Sequence, residues 1–380
     1  MNSLPTNEIA RQGITPGAMV PKMVMRGLIL AGGAGVRLRP ITYTSAKQLV
    51  PVANKPILFY GLEAMAAAGI SKVGIVVGDT ADEVMSAVGD GSAFGLVVTY
   101  IHQAAPLGLA HCVLVARDFL GDDDFVMYLG DNLLETGLTP FVEAFEADRG
   151  EAVAQILLCP VPDPQRFGVA ELDGNGELVR LVEKPTEPAS DLALVGVYLF
   201  DPTIHDAVAA IVPSARGELE ITDAIQWLVD QGRRVRTHLL DGWWIDTGKL
   251  TPLLEANRLI LERTERLIEG KIDEESILDG RVVIQAGAAV IRSTIRGPAV
   301  VGAGTTILDS YIGPFTAIDH HCEIIGSEIE HSVVLERSRI VNAGRIIDSL
   351  IGKDVEVGRS DRRPRATRLM LGDHSWVDLA

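Results

Sequence analysis

A glycine-rich segment followed by cations is the part of this sequence best suited to hold phosphate. The apolar run Leu28-Ile-Leu-Ala31 leads into this segment, and four cationic residues follow it: Arg37, Arg39, Lys47 and Lys55. Glycines let backbone N–H groups approach phosphate oxygens closely, and the cations offset the phosphate charge. We therefore predict a polyphosphate cradle formed by Gly32, Gly33, Ala34 and Gly35.

Two common phosphate-binding motifs do not fit this segment. The dinucleotide fingerprint needs a third glycine where Leu38 stands, and a Walker loop needs Gly-Lys followed by Ser or Thr, which the sequence lacks. The alternative is an ordinary strand-to-helix turn with exposed basic residues. Such turns rarely carry so many cations in a chain with a formal net charge of −17.

Three acidic motifs come after the glycine segment: Gly130-Asp-Asn132, Gly217-Glu-Leu-Glu-Ile-Thr-Asp223 and Trp243-Trp-Ile-Asp-Thr-Gly248. Mg²⁺ prefers oxygen ligands, and beside substrate phosphates it usually takes only one or two protein carboxylates. We predict that Asp131 and Asp246 are these carboxylates. The alternative is that each aspartate only forms a turn.

A further motif, Glu183-Lys-Pro185, closes an apolar run and places a carboxylate beside an amine. Lys184 can hold the phosphate of a second substrate, while Glu183 accepts hydrogen bonds from its hydroxyl groups. An ordinary exposed strand end is the alternative. Because the sequence shows no triad-like arrangement, we expect catalysis by positioning and charge neutralisation without a covalent intermediate.

The elements that must position these residues follow from the hydrophobic pattern. Strands are predicted at 27–31, 72–78, 97–103 and 125–130, with a helix at 56–69, which indicates a parallel sheet covered by helices. Ligands bind at the carboxyl ends of strands in such sheets, where the glycine segment and Asp131 fall. Runs at 152–161, 167–172, 178–183 and 192–200 predict a mainly antiparallel extension.

A second pattern begins near residue 277, where aliphatic residues recur about every six positions until residue 357. This short period is typical of a parallel β-helix. We divide the chain into a flexible extension (1–25), an α/β domain (26–250), a linking helix (251–276), the β-helix (277–357) and a tail (358–380).

Composition excludes several classes of function. The acidic balance and a sequence pI near 4.9 argue against general binding to nucleic acid or to anionic membranes. The first 24 residues lack a continuous apolar core of signal-peptide length, and no segment reaches the uninterrupted apolar length of a membrane span. The three cysteines lack disulfide or zinc spacing, which indicates thiols in a reducing cytoplasm.

With these motifs assembled, the chain resembles the sugar-1-phosphate nucleotidyltransferases, and among them the long form of the glucose-1-phosphate thymidylyltransferases. The likeness rests on the glycine segment, Lys47-Gln-Leu, and the acidic and Glu-Lys-Pro motifs. It implies a Rossmann-like, mixed but mainly parallel sheet, followed by a left-handed parallel β-helix. It further implies that dTTP binds first, with Mg²⁺ as cofactor. Glucose 1-phosphate then attacks the α-phosphorus, giving dTDP-glucose and pyrophosphate.

The resemblance also implies roles for single residues. Arg37 would stabilise the leaving pyrophosphate, Lys47 would orient the phosphates, and Lys184 would grip the sugar phosphate. Asp131 and Asp246 would hold Mg²⁺, and Gln103 and Gly108 would read the pyrimidine. The hexose pocket would consist of Asn132, Gly168, Glu183 and Tyr198. Three positions depart from the family pattern, which often has Thr, Pro and Asp where this chain has Val36, Ala46 and Leu107.

Other functions stay open at this point. A related enzyme using UTP, GTP or another hexose phosphate is the nearest alternative, because a single methyl group on the base gives modest discrimination. A β-helix acyltransferase would use His320, His321 or His331, although turn or core histidines are the simpler interpretation. The third alternative function is a non-catalytic sensor of sugar nucleotides. The repeats also predict a homo-oligomer.

Overall fold

The computed structural model describes residues 25–33, 35–43, 45–147, 149–359 and 372–378. Ala34 of the predicted cradle lies outside the described residues. So do residues 1–24 of the predicted extension and most of the predicted tail. None of the helices in the described ranges is long and apolar enough to cross a membrane.

The first part of the chain alternates strands and helices. Its strands are β1 (Met25–Leu30), β2 (Pro51–Val52), β3 (Lys55–Pro56), β4 (Lys72–Val77), β5 (Val97–His102), β6 (Asp124–Leu129), β7 (Asn132–Leu134), β8 (Ala152–Pro160), β9 (Gly168–Leu172), β10 (Leu178–Glu183), β11 (Leu192–Phe200), β12 (Arg234–Leu239) and β13 (Trp244–Asp246). The helices are α1 (Ile57–Ala67), α2 (Ala81–Val88), α3 (Leu109–Val115), α4 (Arg117–Leu120), α5 (Thr139–Ala147), α6 (Ile204–Ala210), α7 (Ile221–Asp230) and α8 (Leu250–Leu261). Short 3₁₀ turns lie at Val36–Leu38, Ile41–Tyr43, Lys47–Leu49, Ser92–Phe94 and Pro164–Arg166.

The central sheet has the order β10-β9-β11-β6-β1-β4-β5, and β8 and β12 extend it from β11. The β6-β1-β4-β5 half is parallel, whereas β11 runs antiparallel to β6, β8 and β9. Fully buried residues form one apolar cluster around Phe125 and Phe200 and a second around Leu62 and Phe145. The sheet is therefore covered on both faces, which explains the near-continuous apolar runs of its parallel strands.

The second part of the chain is a parallel β-helix. Its strands are β14 (Leu267–Ile268), β15 (Lys271–Ile272), β16 (Ile277–Asp279), β17 (Val282–Ile284), β18 (Ala289–Ile291), β19 (Thr294–Arg296), β20 (Ala299–Val301), β21 (Thr306–Leu308), β22 (Tyr311–Ile312), β23 (Thr316–Ile318), β24 (Glu323–Glu330), β25 (Val333–Val334), β26 (Arg339–Ile347), β27 (Leu350–Ile351) and β28 (Glu356–Gly358). Each strand pairs in parallel with one a coil later, as in Val283 with Val300 and Val300 with Ala317. Aliphatic side chains such as Ile295, Ile312 and Ile329 stack inside as a buried column. The predicted fold class is confirmed.

The corners between β-helix strands explain the three histidines. His321 and His331 adopt positive φ at such corners. His331 Nδ1 lies 2.5 Å from Asp348 Oδ1 on the next coil, and His320 lies within 3.1 Å of Asp319 and Glu336 oxygens. These contacts support the turn interpretation, because the histidines pair within and between coils.

The linking segment is shorter than predicted. Helix α8 ends at Leu261, and residues 267–272 of the predicted helix already form β14 and β15. The helix packs Leu253, Leu254 and Leu261 into a cluster with β-helix residues such as Val300 and Val333. The period of an amphipathic helix continues to Leu267 in sequence, but pairing of Leu267 with Val283 on the next coil ends the helical conformation earlier.

Candidate active site

The glycine loop begins where β1 ends and is held against the segment that carries Lys47. Gly35 has φ +62°, and a Cβ atom there would lie 2.9 Å from Lys47 Cβ. Thr42 Oγ1 donates a 2.7 Å hydrogen bond to the Gly35 carbonyl. Glycine is needed at this point because a side chain would both strain the backbone and displace Lys47.

A small antiparallel strand pair brings the two predicted metal ligands together. β7 pairs with β13 so that Asn132 stands opposite Asp246, which places Asp131 next to Asp246. Buried Thr247 donates to the Asp131 carbonyl through both its hydroxyl, at 2.7 Å, and its backbone N–H, at 3.1 Å. Side-chain and backbone bonds thus hold the two acidic segments in one register.

Lys47 lies between these carboxylates. Its Nζ forms a close ion pair with Asp131 Oδ2 and lies 3.8 Å from Asp246 Oδ1. Arg37 Nη2 approaches Asp246 Oδ2 at 3.9 Å while more than half of its side chain stays exposed. The structure therefore brings together Arg37, Lys47, Asp131 and Asp246, whereas Lys184, the fifth charged residue predicted to be catalytic, lies beside Glu183.

The pKa values of the two carboxylates shift in opposite directions. Burial raises the pKa of Asp131, but Lys47 and the hydrogen bond from Asn132 outweigh burial and lower it below its ordinary value. Burial and the neighbouring Asp131 charge raise the pKa of Asp246, and Lys47 and Arg37 only partly oppose this. The Asp246 carboxyl therefore ionises less readily than the Asp131 carboxyl.

This donor set fits a divalent cation that is shared with phosphate. Two carboxylates facing one space match the one or two protein ligands that Mg²⁺ usually takes beside substrate phosphates. The charges of Arg37 and Lys47 are already matched by Asp131 and Asp246. An entering polyphosphate would therefore meet no excess positive charge unless a cation came with it. Within the described residues no group of three or more His, Cys, Asp or Glu could hold a metal by itself.

Two residues inside the predicted motifs also belong to this centre, although the sequence did not single them out. A Cβ atom on Gly248 would lie 2.9 Å from Asp246 Oδ1, 3.0 Å from Lys47 Nζ and 3.1 Å from Arg37 Nη2. Gln48 is buried beside Gly33, and its Oε1 has no hydrogen-bond partner among the described residues. Both residues belong to motifs that the sequence analysis noted, Asp246-Thr-Gly and Lys47-Gln-Leu. A motif gives a residue's place in the chain but not the side chains that it contacts.

The predicted base-reading residues lie at the edge of the glycine loop. Gln103 follows β5, is buried, and places Oε1 3.6 Å from the position of a Cβ on Gly32. Its Nε2 lies 3.3 Å from the carbonyl oxygen of Gly108. Because that carbonyl is already engaged, a contact from Gly108 to a base would use its N–H.

The predicted sugar residues cluster around Glu183. β10 pairs with β9 so that Glu183 stands opposite Gly168, and Lys184 Nζ lies 3.1 Å from Glu183 Oε1. Burial, and secondarily the Glu183 charge, raise the pKa of buried Tyr198. Arg216, which the sequence did not single out although it directly precedes Gly217, donates to Glu183 at 3.0 Å. A cavity of about 780 Å³ opens here, lined by Glu183, Lys184, Arg216 and Glu220.

Trp244 connects this cluster to the aspartate centre. Its indole N–H donates to Asn132 Oδ1, and its ring lies 5.2 Å from that of Phe167, the residue before Gly168. Asn132 Nδ2 in turn donates to Asp131 Oδ1 at 3.0 Å.

Two of the four cations behind the glycine segment take no part in these contacts. Lys55 pairs with Glu63 at 2.6 Å, and Arg39 lies over the Tyr43 ring. A role of Lys55 and Arg39 in offsetting phosphate charge therefore stays a prediction.

Comparisons with known proteins agree with this arrangement. A family model described as nucleotidyl transferase matches residues 26–263. Glucose-1-phosphate thymidylyltransferases of Streptomyces griseus and Streptomyces antibioticus are 59% and 58% identical over 94% and 93% of this chain, which is 100% and 99% of theirs. A crystal structure of a candidate glucose-1-phosphate thymidylyltransferase from Bacillus anthracis, 38% identical, matches 62% of this chain and 94% of its own with a TM-score of 0.58. The chain therefore belongs to the nucleotidyl transferase family, in the long form that includes these Streptomyces glucose-1-phosphate thymidylyltransferases.

Proposed function

We propose that this protein transfers the thymidylyl group of dTTP to glucose 1-phosphate. An oxygen of the sugar phosphate forms a bond to the α-phosphorus, and the bond from that phosphorus to the bridging oxygen of pyrophosphate breaks. The products are dTDP-glucose and pyrophosphate. The observation that carries the proposal is the convergence of Lys47, Asp131 and Asp246 beside the glycine loop.

Charge neutralisation is the main task of these residues. Two phosphate charges about 4 Å apart repel by about 4 kcal/mol at an effective dielectric constant of about 20, and a triphosphate meeting a sugar phosphate creates several such pairs. Lys47 would orient the phosphates and the exposed Arg37 would follow the leaving pyrophosphate. Alignment of the attacking oxygen can lower the activation barrier by about 7 to 11 kcal/mol more, as it does for other well-oriented reactants.

Asp131 and Asp246 would hold Mg²⁺ in this proposal, and the ion when bound neutralises part of the phosphate charge. For Asp131 to bind the ion, its ion pair with Lys47 would have to break. The entering phosphates would then pair with Lys47 instead. A bound cation would oppose the burial and the Asp131 charge that raise the pKa of Asp246.

The second substrate would lie in the cavity at Glu183. Lys184 would hold the sugar phosphate, and Arg216 supplies a second cation beside it. Glu183 lines this cavity and offers an acceptor for sugar hydroxyls. Asn132 and Tyr198 are buried and do not line the cavity, so their part in the hexose pocket, like that of Gly168, rests on the motif resemblance. Gly168 suits this role because a Cβ there would lie 2.6 Å from Thr222 and 3.5 Å from Glu183 Oε2.

We also propose that the enzyme is a homo-oligomer. Its β-helix leaves aliphatic side chains such as Ile277 and Ile347 exposed, and contact between copies would remove their apolar surface from water. Light scattering should give a mass above that of one 40.8 kDa chain at micromolar concentration. A monomer under these conditions would contradict the proposal.

A pyrophosphate-release assay tests the function directly. The purified chain is given dTTP, UTP, dCTP or GTP with several hexose 1-phosphates in the presence of Mg²⁺. We expect the highest kcat/KM for dTTP with glucose 1-phosphate, and some turnover of UTP. A preference for UTP would favour the uridylyl alternative, and sugar-nucleotide binding without any pyrophosphate release would favour a sensor.

A further inference from the structure

We propose that His111 is a positioning residue for nucleotide selection, because it fixes which end of the Gln103 amide is presented to the base. The inference rests on the proposed function, in which Gln103 reads the pyrimidine. His111 lies on α3, which begins directly after Gly108. The Gln103 side chain contacts His111 and lies beside the glycine loop at Gly32.

The geometry gives the two ends of the amide different surroundings. Gln103 Nε2 lies 3.0 Å from His111 Nδ1 and 3.3 Å from the Gly108 carbonyl oxygen. Gln103 Oε1 instead lies beside the glycine loop, 3.6 Å from the position of a Cβ on Gly32. The side chain is buried, so water does not compete freely for these groups.

Hydrogen-bond chemistry then decides the orientation. A primary amide has two donors on nitrogen, and here both find acceptors: the Gly108 carbonyl and His111 Nδ1 in the tautomer that carries its proton on Nε2. The reversed amide would set Gln103 Oε1 against the Gly108 carbonyl, which places two acceptors together. His111 therefore favours the orientation in which an acceptor oxygen faces the loop.

An acceptor at this point distinguishes between pyrimidines. Thymine and uracil carry a hydrogen on N3 and can donate to Gln103 Oε1, whereas cytosine has an unprotonated acceptor nitrogen there. A Gln103 amide free to reverse would offer its NH₂ group to cytosine. Loss of the His111 acceptor should therefore reduce the preference for dTTP over dCTP.

The test compares kcat/KM for dTTP and dCTP, with glucose 1-phosphate, in the full-length wild type and three variants. We expect His111→Leu to lower the dTTP/dCTP ratio about fivefold, which corresponds to one lost hydrogen bond, through a higher KM for dTTP with kcat nearly unchanged. His111→Asn, whose Oδ1 can stand near the place of Nδ1, should keep the ratio. His102→Leu, an exposed histidine one residue before Gln103, is the matched control and should have no effect.

An unchanged ratio in His111→Leu would overturn the inference, and so would an equal loss with both nucleotides in the Leu and Asn variants. If His111→Leu does not fold, His111→Ala takes its place in the same comparison. A wild type that releases no pyrophosphate from dTTP would instead refute the proposed function. The two failures are thus distinguishable.

Discussion

Lys47 determines the electrostatics of the candidate active site. It is a buried cation, and its partner Asp131 is held by Asn132 and Thr247. Removing one member of such a buried pair leaves the other without compensation, which costs more than the pair contributes. Asp246 differs because it competes with Asp131 for the same lysine. The two aspartates are therefore expected to share a role in turnover but not in stability.

Replacing either aspartate with asparagine should abolish most turnover. Asp131→Asn and Asp246→Asn each remove a carboxylate from the proposed metal site, and we expect pyrophosphate release to fall about 100-fold or more, the loss typical of a missing charge-stabilising group. Asp241→Asn changes an exposed aspartate near β13 and serves as the control. Full activity in either active-site variant would contradict the metal-binding role.

The stability of the same variants should change in opposite directions at pH 7. The pKa of Asp246 is raised in the folded protein, so folding disfavours its ionised form and Asp246→Asn should raise Tm. The pKa of Asp131 is lowered, so its ionised form stabilises the fold and Asp131→Asn should lower Tm. Thermal unfolding at neutral pH measures both shifts. An Asp246→Asn variant less stable than the wild type would refute this assignment.

The pH dependence of these differences provides a second check. The advantage of Asp246→Asn should shrink as pH falls through the raised pKa of Asp246, because the wild-type carboxyl then takes up a proton in the folded state. The contribution of Asp131 is present above the ordinary value of 3.8 and is lost as pH falls through its lower folded pKa. As pH falls from 7 to about 4, the difference in stability from the wild type should therefore vanish first for Asp246→Asn and later for Asp131→Asn.

At the scale of elements, helix α8 joins the active-site segments to the β-helix. Fully buried Asn257 accepts a 2.9 Å bond from the Ala53 N–H and donates a 2.9 Å bond to the Phe315 carbonyl. Asn54 next to Ala53 donates to the Ile318 carbonyl at 2.6 Å. The β2–β3 turn, which follows the Lys47 segment, is thus tied to two β-helix positions through side-chain amides.

Asn257→Ala should destabilise the fold by about 2 kcal/mol, because it leaves a backbone donor and a backbone acceptor without their partners. Thr251→Ala, on the exposed side of the same helix, should change stability by less than about 0.5 kcal/mol. Denaturant unfolding of both variants measures the difference. Equal stability of Asn257→Ala and the wild type would show that water replaces both bonds.

At the scale of the whole molecule, the β-helix supports the segment that carries Arg37 and Lys47. Leu38, Val50 and Val52 share one apolar cluster with Val300 and Val333 of the β-helix. Ile41, just after the Arg37 turn, also contacts this face, since a Cβ on Gly352 would lie 3.2 Å from Ile41 Cδ1. The β-helix is therefore continuous with the core that holds Arg37 and Lys47 in place.

A chain cut after residue 263 should consequently lose stability and activity together. The cut exposes the α8 side of the apolar cluster, so we expect a lower Tm and concentration-dependent aggregation. A chain cut after residue 359, which keeps the whole β-helix, is the control and should behave like the full-length protein. Undiminished stability of the shorter fragment would show that the β-helix is dispensable for the fold.

The sequence by itself determined the local conformations and the residue types of the site. Strands β10 and β11 begin and end where the strand-like runs place them, because such runs and the turn residues that bound them are read from positions close together in the chain. The recurring aliphatic positions indicated the β-helix for the same reason. The motifs with Lys47, Asp131 and Asp246 likewise indicated a phosphate and metal chemistry before their geometry was known.

Only the tertiary structure decided which of these side chains meet. Asp131 and Asp246 are neighbours because β7 pairs with β13, and no local pattern states that register. Long-range packing also placed Gly248 against Lys47 and Arg37. Contacts between residues distant in sequence depend on how whole elements share a buried surface, and this is a property of the assembled fold.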